Sequence, residues 1–151
     1  MMKEITWKIK PFPQLSAGEV YEMLKIRQEV FIVEQTCYYL DADGYDQKAV
    51  HVWGEKDGEI VAYCRIFGCG IKYPEASLER VLTHPNYRNY GLGKILLRIA
   101  IGSVEARFRT PSLRISAQDY LLKFYSEFGF QDTGKKYLED DIPHTEMLKA
   151  L

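Results

Sequence analysis

The sequence predicts an α/β (α+β) fold, a mixed and mostly antiparallel central sheet flanked by helices on both faces. Three observations predict it. Short segments of alternating apolar and polar residues come early and are joined by a tight Asp57-Gly58 turn, as antiparallel strands are. Later, a strand enters a glycine-containing loop, a long amphipathic segment and a further strand, the order expected of a parallel connection. At 151 residues the chain reads as one domain spanning 1–151, large enough to bury a core without staples.

The elements follow in order. Ile5 to Ile9 alternates as a first strand. Ser16, with Glu19 three positions on, forms a capping box, and the helix it opens runs to about Val33 with Val20, Leu24, Val30 and Phe31 on its inner face. Arg27 sits in that apolar stripe, where a guanidinium must find a partner or a ligand. Val50 to Glu55 and Ile60 to Gly68 make a hairpin, with Trp7 and Trp53 read as core. Ser77 to Thr83 is a fourth strand. Leu92 to Phe108 is a helix with Leu97, Ile101, Val104 and Phe108 along one side, and Leu113 to Ala117 is a fifth strand. Gln118 to Phe128 carries Leu121, Phe124, Tyr125 and Phe128 at helical spacing, and Gly129 ends it as a C′ glycine does. Phe130 to Leu138 and Thr145 to Lys149 close the sheet.

Composition narrows the function classes. A net charge of −1 supplies no basic field for nucleic acid. The N-terminal stretch has no continuous apolar core, so neither a signal peptide nor a membrane span is expected. Cys37, Cys64 and Cys69 are an odd set without metal-ligand spacing, read as free buried thiols of a reduced, cytoplasmic protein with no metal.

Chemistry concentrates between Thr83 and Leu97, T-H-P-N-Y-R-N-Y-G-L-G-K-I-L-L. A strand, a glycine loop and a helix start direct free backbone N–H groups and the positive end of a helix dipole at one point, which suits a pyrophosphate. Two nucleotide patterns fail here. Gly93-Lys94 is followed by Ile95 and not by a hydroxyl, and Gly91-Leu92-Gly93 runs to Leu96 where a dinucleotide fingerprint needs a third glycine. What remains is R-x-x-G-x-G, from Arg88 to Gly93.

That loop resembles the acyl-CoA pyrophosphate loop of the GNAT acyltransferase superfamily, and Phe124-Tyr125 to Gly129-Phe130 resembles its second signature, F-Y-x-x-x-G-F. Arg27, Val30, Phe31, Val33 to Gln35 and Cys37, then Asp41, Asp43, Asp46 and His51, and finally Glu139 to His144 are similar to the ElaA-like branch. The likeness spans about residues 20 to 148. It implies an acyl-CoA-dependent N-acyltransferase with acetyl-CoA as co-substrate. Arg88, Asn89, Tyr90, Gly91, Leu92 and Gly93 would supply amides to the pyrophosphate, with charge from Arg88 and Lys94. Val81, Leu82 and Thr83 would pair with the pantetheine arm like an added strand, an N–H near Leu82 facing the thioester oxygen. Tyr125 would protonate the leaving sulfur, or else is simply core.

The general base stays open at this point. Glu79 on the fourth strand ranks first, with His51, Glu34 and His144 as further candidates, each of which also reads as an ordinary structural residue. An Arg27–Glu34 cluster near the acceptor is a further expectation. The loop Asp41 to Asp46 lacks calcium-loop offsets; it reads either as turn-forming carboxylates or, with Glu139, Asp140 and Asp141, as a negative rim for a cationic amine. The expected partner is a small-molecule or peptide amine, and a homodimer is allowed by the composition.

Overall fold

Seven strands make one sheet in a computed structural model that describes residues 4–151. In chain order they are β1 (Thr6–Pro11), β2 (Val50–Lys56), β3 (Glu59–Phe67), β4 (Ala76–Thr83), β5 (Ser112–Gln118), β6 (Gln131–Glu139) and β7 (Ile142–Ala150). Across the sheet they lie β1-β2-β3-β4-β5-β7-β6, and every neighbouring pair is antiparallel except β4 with β5. The β2–β3 turn places Asp57 and Gly58 both at positive φ, as a tight hairpin of right-twisted strands requires.

Helices cover both faces. On one, α1 (Ala17–Arg27) continues into wide, π-type turns over Gln28–Glu34, and Met23, Ile26, Val30 and Phe31 pack on Trp53, Ile60, Tyr63 and Leu82. The predicted helix therefore does reach the end of this segment, but its winding changes at Gln28. The change carries Val30, Phe31, Glu34 and Gln35 to one cavity wall. On the other face, α2 (Leu92–Phe108) buries Leu96, Leu97, Ala100, Ile101 and Val104 against β-strand residues such as Val52, Cys64, Leu78 and Ile115. Trp53 is buried, and Trp7 is partly buried against the larger core.

Three expectations need correction. The helix predicted over Gln118 to Phe128 is a 3-10 turn at Asp119–Leu121 followed by α3, only Leu122–Ser126. Its apolar spacing is real, but β5 extends through Gln118 and takes the first residue. The last strand starts earlier than Thr145, at Ile142, because a hairpin turn at Asp140 and Asp141, both at positive φ, brings it back at once. Cys37 and Cys64 are buried thiols, whereas Cys69 is exposed in the β3–β4 connection.

Two irregularities mark β4. It pairs with β5 only at Ala76–Leu113 and Ser77–Arg114, so from Leu78 onward its β5-facing edge has no partner strand among the described residues. It also bulges: the β3 register runs from Tyr63–Leu82 to Arg65–Glu79, which leaves Arg80 and Val81 together opposite Cys64. Arg80 takes a left-handed φ of 57°, a conformation that costs a non-glycine residue about 1 kcal/mol or more.

Candidate active site

Helix α2 begins without a side-chain cap. Gly91 occupies the cap position at φ 75°, and no side chain accepts from the first-turn amides. A left-handed cap residue explains the glycine there, since any Cβ would be strained although nothing crowds the space. Asn89, at φ 69°, is the second left-handed residue of the loop, a conformation Asn tolerates. The uncapped amides sit at the positive end of a seventeen-residue helix, a ready site for a phosphate-bearing ligand.

The loop borders a cavity of about 900 Å³ that opens between the diverging strands. Val81, Leu82, Thr83, Arg88, Gly93, Phe124 and Tyr125 line one end of it. Glu79, Ser116, Gln118, Glu139 and His144 line the other. Thus one continuous space runs from the helix start, along the unpaired edge of β4, to a polar ledge on β4, β5, β6 and β7.

Behind that ledge lies a network of four acidic and four basic groups. Arg27 is fully buried; its Nε donates to Asp41 at 2.8 Å and its Nη1 to Asp46 at 2.6 Å. Arg65, also fully buried, donates to Asp43, Asp46 and Glu79. Arg80 donates to Asp41 at 2.9 Å and to Glu79 at 3.2 Å, and Lys72 approaches Asp43 and Glu79. Hydrogen bonds from Arg65 and their positive charges hold the Asp43 carboxyl well below its usual range, against the opposing pull of burial; Asp46 is lowered in the same way by Arg27 and Arg65. Arg80's contacts pin the bulge in its strained conformation.

The expected site residues divide accordingly. Glu79 and His144 line the cavity, as do Glu34, Arg88 and Tyr125. Arg27 and His51, expected at the acceptor, lie instead within the buried network and away from the cavity. His51 has no exposed surface; its Nε2 lies 3.0 Å from the Asp46 carbonyl, which can only accept, so Nδ1 receives the Tyr63 hydroxyl at 2.7 Å. Burial pushes that imidazole below its ordinary pKa, keeping it neutral. The anticipated Arg27–Glu34 cluster does not form. Glu34 grips Arg88 in a two-pronged pair, with Nη2 to Oε1 at 2.7 Å. The negative rim is also reassigned in part: Asp41 and Asp46 are buried and matched by arginines, while Asp140 and Glu139 remain on the cavity wall.

Of the loop residues, Leu92 points its side chain into the core and offers only its amide. Tyr90 and Lys94 are exposed, Lys94 lying 3.6 Å from Glu127. Tyr125 is buried, which pushes its phenol above the ordinary tyrosine range and favours the protonated form. Sequence reasoning missed Arg65, Arg80 and Lys72. A signal existed for Arg65, an arginine inside the apolar strand Ile60 to Gly68, by the argument already applied to Arg27. None existed for Arg80, whose role depends on a backbone bulge.

Known proteins share this fold. The model of the acetyltransferase (GNAT) domain matches residues 19–151. UPF0039 protein sll0451 of Synechocystis sp. is 41% identical over 146 residues, covering 96% of this chain and 95% of that protein. An acyl-CoA N-acyltransferase from Pseudomonas aeruginosa superposes with a TM-score of 0.92 at 34% identity, covering 97% of this chain and all of that one. Escherichia coli ElaA superposes at 0.91 with 31% identity, covering 97% and 99%. Among the described residues no helix is long and apolar enough to cross a membrane, and no group of three or more His, Cys, Asp or Glu side chains could hold a metal ion.

Proposed function

Because the chain belongs to the GNAT acetyltransferase family, in its ElaA-like branch, we propose that it transfers an acetyl group from acetyl-CoA to a primary amine by direct attack in a ternary complex. The observation that carries this reading is the uncapped start of α2 opening onto the same cavity as the unpaired edge of β4. Pyrophosphate would sit on the amides of Gly91 to Lys94, and the pantetheine arm along Val81 to Thr83.

Acetyl-CoA supplies an activated carbonyl and a thiolate leaving group. The chain's own residues do the rest. The β4 edge orients the donor by backbone hydrogen bonds, which removes rotational freedom before reaction. An N–H of the bulged segment would meet the thioester oxygen as negative charge develops on it, in a cavity lined there by Phe124 and Leu82. Tyr125 keeps its proton because burial raises the phenol. It therefore serves as a hydrogen-bond donor to the leaving sulfur more than as a full proton source, since a thiolate of reference pKa about 8.5 is a weaker base than the buried phenolate. Before the donor's phosphates bind, Arg88 is shared with Glu34; the pair joins the helix end of one face to the phosphate loop of the other.

Isothermal calorimetry with coenzyme A tests the donor site, and turnover of Tyr125→Phe tests the chemistry. Submicromolar to micromolar binding is expected, with a drop in turnover of roughly 10²-fold and unchanged affinity in the variant. No heat at millimolar coenzyme A would overturn the assignment. An unchanged rate would remove Tyr125 from the mechanism and leave the rest. Coenzyme A binding with no acetyl transfer to any amine would identify a binding module instead.

A further inference from the structure

Alkyl amines reach neutral solution as ammonium ions, so a ternary-complex transferase needs an acceptor for one proton before the nitrogen can attack. Four side chains were candidates from the sequence, and the structure distinguishes them by what their basic atoms already hold. Both oxygens of Glu34 are taken by Arg88. Both ring nitrogens of His51 are bonded, and the ring is sealed from the cavity. Glu79 Oε2 accepts from Arg65 and Arg80, while Oε1 faces the Lys72 ammonium at 3.7 Å.

His144 differs. Its Nδ1 stands 2.7 Å from the carbonyl oxygen of Ile142. A carbonyl can only accept, so Nδ1 carries the proton, and the neutral ring holds its lone pair on Nε2. Among the described residues no donor reaches Nε2. Its nearest charged neighbour is Glu139 Oε2 at 3.4 Å, an acceptor that suits a protonated nitrogen and leaves an unprotonated one free. Tyr137 of β6 stacks on the ring at 6.0 Å between centroids and is itself held by Ser116. Gln118 stands directly across the ladder on β5, at the end where β4 and β5 have parted. The imidazole is thus fixed in one tautomer and one plane on the wall of the cavity that Tyr125 and Val81 to Thr83 also line.

We infer that His144 is the general base for the acceptor amine, with Glu139 stabilising the imidazolium that results. This rests on the acyltransferase reading above. The ammonium gives one proton to Nε2. The freed nitrogen pair then bonds to the thioester carbonyl carbon, and the carbon–sulfur bond breaks with its electron pair leaving on sulfur. The second nitrogen proton passes to that thiolate, and the imidazolium returns its proton to solvent. The sum is ammonium plus thioester giving amide, thiol and one released proton.

The test has two arms on the full chain. First, long-range ¹⁵N–¹H spectra of the imidazoles, with His144 assigned from the missing signal in His144→Asn, read the tautomer without any turnover; Nδ1–H is expected, and Nε2–H would overturn the inference. Second, acetyl-CoA is assayed with a panel of alkylamines (benzylamine, a diamine, a lysine peptide) and with methoxyamine, which is uncharged at neutral pH. Asn at position 144 keeps a donor for the Ile142 carbonyl and lacks the basic nitrogen. Turnover of the alkylamines is expected to fall about 100-fold or more while that of methoxyamine stays within a few-fold. Equal losses on both amine types would show a positioning role only, and no loss would show no role; either overturns the inference. Parent protein that binds coenzyme A and acetylates nothing in the panel would overturn the acyltransferase reading and this step with it, a result separable from a His144 failure because the parent itself is silent.

Discussion

The two long helices begin in opposite ways. At α1, Ser16 accepts from the Glu19 amide at 3.1 Å and Glu19 accepts from the Ser16 amide at 2.9 Å, so the helix satisfies its own first turn. At α2, a left-handed glycine stands where the cap would be, and no side chain closes the end. A closed start contributes stability and nothing to binding. An open one leaves its amides and its dipole available to a ligand and forgoes the roughly 1 kcal/mol a cap contributes. The same chain therefore treats one helix as scaffold and the other as a receptor for charge.

Substitutions test that contrast. The largest effect is expected at the far end of α1, where Arg27 ties the helix to the buried acidic loop. Arg27→Met should lose about 3–5 kcal/mol in urea unfolding, because it leaves Asp41 and Asp46 buried without that counter-charge. A wild-type midpoint would show the network to be dispensable for the scaffold. Next comes acid. Asp43 and Asp46 are held below their ordinary values by arginines, and Glu75 is lowered to about 2 by its hydrogen bond to Arg114. The folded chain thus binds fewer protons than the unfolded one. The stability these groups contribute is complete above about pH 5 and is lost as pH falls through 4 toward 2. Urea midpoints measured across that window should fall steeply, and a flat profile would contradict the pairing.

Lys94→Glu would give α2 an acidic residue in its first turn. Coenzyme A affinity should drop about tenfold by calorimetry, while thermal stability holds within about 0.5 kcal/mol, because the new carboxylate repels a pyrophosphate and its favourable place at the uncapped helix end offsets the exposed Glu127 contact it replaces. Ser16→Ala is the reciprocal change and the smallest: about 1 kcal/mol of stability lost, a few degrees in midpoint, with coenzyme A affinity unmoved. Should Lys94→Glu destabilise or Ser16→Ala weaken binding, the two starts would not be the separate devices described.

How far each feature could be read in advance follows the range of the interactions behind it. Capping residues, the Asp57-Gly58 turn, the bounds of α2 and the R-x-x-G-x-G loop are written in neighbours a few positions apart, so local pattern found them. Helix α3 is shorter than its apolar spacing suggests because Leu121 and Phe128, which keep that spacing, lie in a 3-10 turn before it and in the turn after it. Arg27 signalled a buried partner but not which one: the choice between Glu34, seven positions on, and Asp41 and Asp46, fourteen and nineteen on, is made by how the loop folds over the sheet.

By itself the sequence determined the order of the elements, the mixed sheet, the open helix start and the family to which these belong, since periodicity, glycine placement and short motifs act through the adjoining backbone. Tertiary structure alone decided that His144 lies on the cavity wall with Nδ1 against the Ile142 carbonyl, that His51 is spent inside the network, and that β4 bulges at Arg80. Those outcomes depend on which hydrogen-bond partners the fold brings within 3 Å of an atom, and residues far apart in the chain supply them.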